Sequence, residues 1–437
     1  MPFLIIALGI AALLLLIIRF KVPAFIALVI VAIGVGLAQG MPASDVLKSM
    51  QNGTGGTLGY LALVLGFGAM LGGILADTGA AQQITQKLVS AFGESRIQWA
   101  MVLTGFIVGI PMFYSVGFVM LIPLVFAIAK TSKLPILYLA IPMVAALSVT
   151  HGFLPPHPAP TALAVIYGAD MSITFLYGLI LAVPTIIIAG PLFGKTLKGI
   201  VTEIPENLFT IKEIDEHTPS FSSSLGTALI PVILMGLSAL LKLNLSEDHF
   251  ILPIVSFIGE PVMALLIALL IAIYTLGIRM GKRMSAIADI CLQSVKGIAM
   301  ILLIIGAGGG FKQILIDSGT SEAIIQSLQG TDISPIVLAW GIAAALRIAL
   351  GSATVAALTA AGIASPLIAT TSVSPEILVL ATGAGSLTFS QVNDTGFWMF
   401  KEYFNLTIWQ TFKTWTVMET LVSFIGLAGC LVLERLV

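Results

Sequence analysis

Apolar residues dominate the chain in long runs, and the polar positions between them are few enough to read one at a time. Runs cover about 3–18, 23–39, 57–76, 98–129, 135–168, 173–194, 226–242, 252–277, 293–316, 335–370, 375–400 and 413–433. Several reach the roughly 18–20 residues that a helix needs to cross a bilayer's hydrocarbon core. The stretches 98–129, 135–168 and 335–370 are too long or too broken for one straight helix. The pattern predicts an all-α polytopic membrane protein.

Within 335–370 the only charge is Arg347, followed by Gly351-Ser352-Ala353-Thr354. A cation at the centre of a membrane helix costs roughly 2.5–3.5 kcal/mol on insertion scales, so it calls for a reason. A Gly-Ser-Ala-Thr break between two short apolar arms predicts a hairpin that enters the membrane and leaves on the same side. Irregular backbone at that depth needs cover from protein or a wet cavity. The arm from Pro335 to Arg347 spans about 18 Å at a rise of 1.5 Å per residue, which reaches the midplane.

The chain repeats itself. At an offset of 240 residues, Gly73-Ile74-Leu75-Ala76-Asp77-Thr78-Gly79 meets Gln313-Ile314-Leu315-Ile316-Asp317-Ser318-Gly319. Ile84 and Leu88 then meet Ile324 and Leu328, and Pro135 meets Pro375. Ala146 to Thr150 meets Ser386 to Ser390, and each precedes a helix-breaking stretch: His151 to Pro158 in one half, Gln391 to Gly396 in the other. Tyr114-Ser115-Val116-Gly117 takes the place of Gly351 to Thr354. The expected layout is a first repeat over 1–194, with a hairpin at about 98–130 and a broken helix at about 135–168. A cytoplasmic linker follows over 195–224. The second repeat covers 225–437, with a hairpin at about 335–370 and a broken helix at about 375–410. Each repeat makes five crossings and carries one re-entrant hairpin. An odd number inverts the second repeat, a plan common to secondary transporters.

Positive charge tests that layout. Placing Arg19 and Lys21 on one side gathers fourteen Lys and Arg there, against Lys48, Lys242 and Arg435 on the other. The rich side is expected to be cytoplasmic, with both termini periplasmic.

Composition adds limits. Of 437 residues, 58% are hydrophobic and 9% charged, against about 25% charged in soluble domains. A net charge of −1 gives no nucleic-acid footprint. Cys291 and Cys430 form no disulfide framework, and no metal-ligand spacing occurs. The first run lacks a basic start and a small-residue cleavage site, so it is read as a span. No cofactor is expected.

The candidate site gathers both hairpin tips and the second broken helix. Helices starting near Val116 and Ala353 would turn unpaired N–H groups and their positive dipole ends inward, where an anion fits. Ser115, Gly117, Gly351, Ser352 and Thr354 sit at those tips. Arg347 offers a planar fork for a carboxylate, or ties hairpin carbonyls together. Asp394 exchanges a proton or helps hold a cation; it also suits the N-cap of a half-helix starting near Thr395, and Asn393 adds a donor and an acceptor. His151 and His157 flank the proline-rich break and could relay protons or serve structure. Lys312 could bind or snorkel outward. Gly306 to Gly310 lies in an apolar run without phosphate-loop context, and reads as close helix packing. An intramembrane enzyme is disfavoured, because the membrane histidines lack a spaced nucleophile or carboxylate partner. A channel is the other rival, separable by counterflow.

Five segments together carry a resemblance over nearly the whole length: Gly55-Gly56-Thr57-Leu58-Gly59, Thr150-His151-Gly152-Phe153-Leu154-Pro155-Pro156-His157-Pro158, Ile305-Gly306-Ala307-Gly308-Gly309, Gly351-Ser352-Ala353-Thr354-Val355-Ala356 and Val392-Asn393-Asp394-Thr395-Gly396-Phe397-Trp398. The chain resembles the bacterial gluconate:proton symporter family, within the ion-transporter superfamily. The resemblance implies uptake of gluconate or a related sugar acid by proton symport in the inner membrane, as a homodimer with an elevator-like motion. Another small carboxylate, a dicarboxylate or hydroxy amino acid, is the alternative substrate. The family pattern carries a glutamate where this chain has Ser115. Its absence leaves Asp394, His151 and His157 as candidates for the proton.

Overall fold

The computed structural model describes residues 2–200, 202, 218–246, 249–319, 334–365, 372–392 and 394–437. Asn393, Ile324, Leu328, the end of the second hairpin and most of the predicted linker lie outside them. Among the described residues the chain is helical, with no strand.

The helices are α1 Pro2–Leu14, α2 Ala24–Ala38, α3 Ala43–Asp77, α4 Ala80–Phe92, α5 Ile97–Gly109, α6 Tyr114–Ser132, α7 Ile136–Phe153, α8 Pro158–Tyr167, α9 Met171–Ile187, α10 Phe193–Thr196, α11 Phe221–Asn244, α12 Leu252–Gly259, α13 Pro261–Ala272 and α14 Met284–Asp317. After these come α15 Pro335–Leu350, α16 Ala353–Ala364, α17 Pro375–Gly385, α18 Thr395–Tyr403, α19 Ile408–Thr411 and α20 Val417–Leu433.

Among the described residues, seven helical stretches are long and apolar enough to cross a bilayer: 43–77, 136–167, 171–196, 221–242, 261–280, 284–317 and 408–433. The crossings predicted at 3–18, 23–39 and 375–400 fall on shorter helices. Some of the predicted runs differ from the helices that form. Residues 252–277 are not one run, because the chain breaks at Glu260 before Pro261 restarts the helix. Proline is favoured at that first position, where its missing N–H costs nothing. The run at 57–76 starts earlier, at Ala43, through polar residues that the hydropathy reading left out. The amphipathic α4, behind Gly79 at φ +75°, was not foreseen.

α3 and α14 cross at backbone distance. A Cβ on Gly53 would lie 2.4 Å from the Gly309 carbonyl oxygen, and one on Gly309 would lie 2.1 Å from Thr57 Oγ1. Thr54 Oγ1 donates to the Gly306 carbonyl at 3.1 Å. With no hydrophobic drive between helices in lipid, such close contact supplies the packing energy. The glycine run from Gly306 to Gly310 is therefore a helix-crossing surface. α7 is buried along nearly its whole length, surrounded by α5, α6, α9, α17 and α20.

Candidate functional site

Four helix interruptions meet near α7. The α5–α6 connection runs through Ile110 to Phe113. The α15–α16 connection is only Gly351-Ser352, with Gly351 at φ +78°, a conformation that glycine adopts without the Cβ penalty. The α7–α8 break holds Leu154 to His157, with a cis bond between Pro155 and Pro156. The α17–α18 break ends at Asp394, whose side chain caps α18 by accepting from the Gly396 N–H at 2.9 Å. Ser352 caps α16.

A cavity of about 240 Å³ lies among them. Its walls are Phe113 from the first connection with Tyr114 and Ser115 at the start of α6, and Ser352 from the second with Arg347 of α15 and Ala353 and Thr354 at the start of α16. Asp394, Thr395, Gly396 and Met399 come from the start of α18. Ser148 and His151 of α7, Leu387, Ile301 of α14, Trp415 and Glu419 complete it. The N-termini of α6, α16 and α18 thus open onto one space. First-turn amides lack intrahelical acceptors, so these ends present donors and partial positive charge.

Arg347 and Asp394 hold two of the interruptions together. Arg347 is 2% exposed and Asp394 8%. Arg347 Nη2 donates to Asp394 Oδ2 at 2.5 Å, and its Nη1 donates to the Gly351 carbonyl. Asp394 also accepts from Ser390 Oγ, which accepts in turn from Trp415 Nε1 at 2.7 Å. Both roles read for Arg347 thus meet in one side chain: it ties a hairpin carbonyl and it reaches a carboxylate, which belongs to the protein. Its Nε is buried and unpartnered, as are Tyr114 Oη and His151 Nδ1. Buried polar atoms without partners are rare and ask for an explanation; all three residues line the cavity.

Of the predicted residues, Ser115, His151, Arg347, Ser352, Thr354 and Asp394 reach the cavity. Gly117 and Gly351 do not line it: Gly117 is buried against Leu147, and Gly351 serves through its backbone. Asn393 lies outside the described residues. His157 does not reach the cavity. It is 3% exposed, donates from Nε2 to the Gly109 carbonyl at 2.8 Å, and packs edge-on to His151 at 5.4 Å. It joins the α7–α8 break to the end of α5. Lys312 donates to the Ile166 carbonyl at 2.5 Å, capping the negative end of α8.

Sequence reasoning missed Glu419, Tyr114 and Trp415. Glu419 is 1% exposed, and its Oε1 accepts from Ser148 Oγ at 2.5 Å. A lone carboxylate inside the apolar run 413–433 was a signal of the kind that singled out Arg347.

The cavity continues. Phe113, Ser115 and Ile301 also line a second space of about 180 Å³ between α3, α14 and the first connection. Gly73, Gln293 and Ser294 line both that space and a neighbouring third one, of about 520 Å³, which reaches Asp77 and Asp289. Asp77 pairs there with Lys282 at 2.7 Å.

Long apolar helices around a half-open cavity lined by polar side chains, with helix N-termini turned into it, define a multi-pass membrane protein. Solved structures share the fold. The fold matches the YdaH transporter of Alcanivorax borkumensis with a TM-score of 0.66 at 16% identity, covering 94% of this chain and 97% of that one. It matches MtrF of Neisseria gonorrhoeae with a TM-score of 0.63 at 14% identity, covering 94% and 93%. The whole chain, residues 1–437, matches the family described as GntP family permease. The chain is 57% identical to a high-affinity gluconate transporter of Escherichia coli K12, over all of both chains. It is 54% identical to the Gnt-II system L-idonate transporter of the same organism, over 99% of each, and 51% identical to a gluconate permease of Bacillus subtilis 168, over all of both. The chain belongs to the GntP family of permeases, which are transporters and not enzymes.

Proposed function

We propose that this permease takes up gluconate or a related sugar acid across the bacterial inner membrane by proton symport, with an elevator-like movement of the substrate-bearing part. One observation carries the reading: hydroxyls, a guanidinium and three helix N-termini converge on one half-open cavity. That set matches a polyhydroxylated carboxylate. The substrate carboxylate takes the dipole ends and the Arg347 N–H left unpartnered, while Ser115, Ser352 and Thr354 meet its hydroxyls. Asp394 holds Arg347 in place.

The inverted-repeat plan has support from the α3–α14 crossing. Gly73, near the end of α3, would clash with Ser294 at the start of α14. The matching positions in the other repeat are Gln313 and Thr54, and Gln313 lies against Gly53, beside Thr54. The same pair of positions is thus used twice, with the helices exchanged, as a twofold relation in the membrane plane requires. Re-entrant hairpins fit α5–α6 and α15–α16, whose turns are largely buried and of whose four arms three, α5, α15 and α16, have 13, 16 and 12 residues. Ion pairs fit the predicted sides: Asp77 with Lys282 on the cytoplasmic one, Asp170 with Lys242 on the periplasmic one. On that assignment the chain of cavities opens to the cytoplasm. The elevator-like motion would need the chain to slide where a Cβ on Gly72 would lie 2.5 Å from the Pro111 carbonyl. The homodimer is the assembly that the family resemblance implies.

The relative that carries L-idonate favours a second reading, in which another sugar acid is the substrate. Competition against labelled gluconate separates the two. The test of the main reading is counterflow in proteoliposomes. The parent chain exchanges labelled gluconate, and Ser352→Ala and Thr354→Ala each raise the half-saturating concentration several-fold. Unchanged affinity in both variants refutes the site.

A further inference from the structure

Asp394 is poorly suited to carry the coupling proton, because Arg347, Ser390 and the Gly396 N–H already match its charge. Glu419 is the other carboxyl on the cavity wall, and its setting differs. It lies on α20, is 1% exposed, accepts one hydroxyl hydrogen bond from Ser148, and forms no ion pair among the described residues. A bare carboxylate in such a place pays a large desolvation cost, which a proton removes. We infer that Glu419 is the proton-carrying group of this permease, loaded in step with the substrate. The inference rests on the transport reading given above.

The charge balance of the cavity supplies the coupling. Arg347 and Asp394 cancel each other. With Glu419 protonated, the cavity is neutral and its helix N-termini and free N–H groups attract an anion. With Glu419 ionised, a net negative charge faces the substrate carboxylate at close range in a medium of low dielectric, and repels it. Proton and anion therefore enter together and leave together: the O–H bond of the Glu419 carboxyl forms on one side of the membrane and breaks on the other, with no other bond changed. The titratable groups facing Glu419 are His151 on α7, Tyr114 on α6, Arg347 on α15 and Asp394 before α18. The other helices packed on α20 add nothing that competes: α9 carries only Tyr177, and Glu376 of α17 accepts from the Asp170 N–H at 2.8 Å.

Glu419→Gln tests this, because the amide imitates the protonated acid. The parent protein in liposomes should exchange labelled gluconate and, with one proton per anion, accumulate it about tenfold per unit of pH gradient that is acid outside. Glu419→Gln should keep counterflow and gluconate binding by calorimetry, while gradient-driven accumulation falls to a ratio of about one. Proton uptake on binding, read with a pH indicator in weak buffer, should disappear with it. Glu419→Asp should keep both. Accumulation in Glu419→Gln equal to the parent overturns the inference. Loss of binding in both Glu419→Gln and Glu419→Asp, in folded protein, also overturns it and makes Glu419 a substrate ligand. A parent that exchanges gluconate with no response to the gradient removes proton coupling and this role with it. A parent that exchanges no gluconate refutes the transport reading itself.

Discussion

Replacing Arg347 by methionine separates its structural work from any contact with substrate. The side chain is 2% exposed and bridges two chain interruptions, through Gly351 on its own hairpin and Asp394 before α18. Methionine fills much of the same volume and leaves Asp394 buried without its cation. Removing one partner of a buried ion pair costs about 3–5 kcal/mol. Ser390 and the Gly396 N–H still serve Asp394, so the lower end applies. At about 2.1 cal/mol/K per residue of unfolding entropy, a cost of about 3 kcal/mol in a chain this long lowers the melting temperature by about 3 °C. Asp394→Asn alone strands the guanidinium and should cost a similar amount. The double variant Arg347→Met with Asp394→Asn carries neither charge. With one oxygen in place of two, the amide keeps only the bond from the Gly396 N–H and turns its NH2 toward Ser390 Oγ; the double variant should still recover part of the loss, a coupling in the range of about 0.5–3 kcal/mol. Tryptophan fluorescence during heating in detergent reads the stability, and gluconate binding is measured in parallel. Strictly additive single losses, or a single loss too small to detect, would show that the pair does not hold the tip.

Three further outcomes follow from the geometry. Gly309→Ala sets a Cβ 2.1 Å from Thr57 Oγ1; overpacking of that kind costs about 1–3 kcal/mol, and the thermal midpoint should fall, whereas Gly297→Ala, with open space at its Cβ, should leave it unchanged. Gly351→Ala forces an L residue to φ +78° and should cost about 1 kcal/mol, with Gly351→Asn milder, as a melting series can rank. The Asp170 carboxyl, outside the spans, sits below its ordinary 3.8: burial opposes ionisation, but Lys242 and the amides of Ile173 and Ser172 outweigh it. Its contribution is therefore complete above the unfolded value and lost as acid lowers the pH through the folded one, so thermal stability should drop below about pH 4, and Lys242→Met should flatten that drop.

Much of the fold was legible because membrane burial writes itself into composition. Every helix must satisfy its own backbone, so breaks show as glycine, serine and proline in otherwise apolar text. Gly351-Ser352, Pro155-Pro156 and the start of α18 at Thr395 were found on that ground. What escaped is where the cost of a break is small or a helix is not fully apolar. Glu260 before Pro261 looks like one more polar residue at the end of a run, yet it divides α12 from α13, and its carboxylate accepts from Tyr60 at 2.5 Å. The first part of α3, Ala43 to Thr57, is polar and glycine-rich. A hydropathy window rejects it, while packing against α14 makes it helix.

The site was legible as a set of residue types and not as a set of partners. Arg347, Ser352 and Asp394 announced themselves singly, each by its expense in an apolar run. No spacing rule links Arg347 to Asp394, because the pair spans 47 positions and forms only when α15 packs on α17. For the proton, the sequence offered Asp394, His151 and His157, and Glu419 was not among them. Geometry narrows it by asking which charge is already matched. Asp394 is satisfied by a guanidinium, a hydroxyl and an amide; His157 spends its N–H on the Gly109 carbonyl; Glu419 has one hydroxyl. If the cavity takes an anion as proposed, a carboxyl that the fold leaves unmatched at its wall is the one whose protonation that anion would feel.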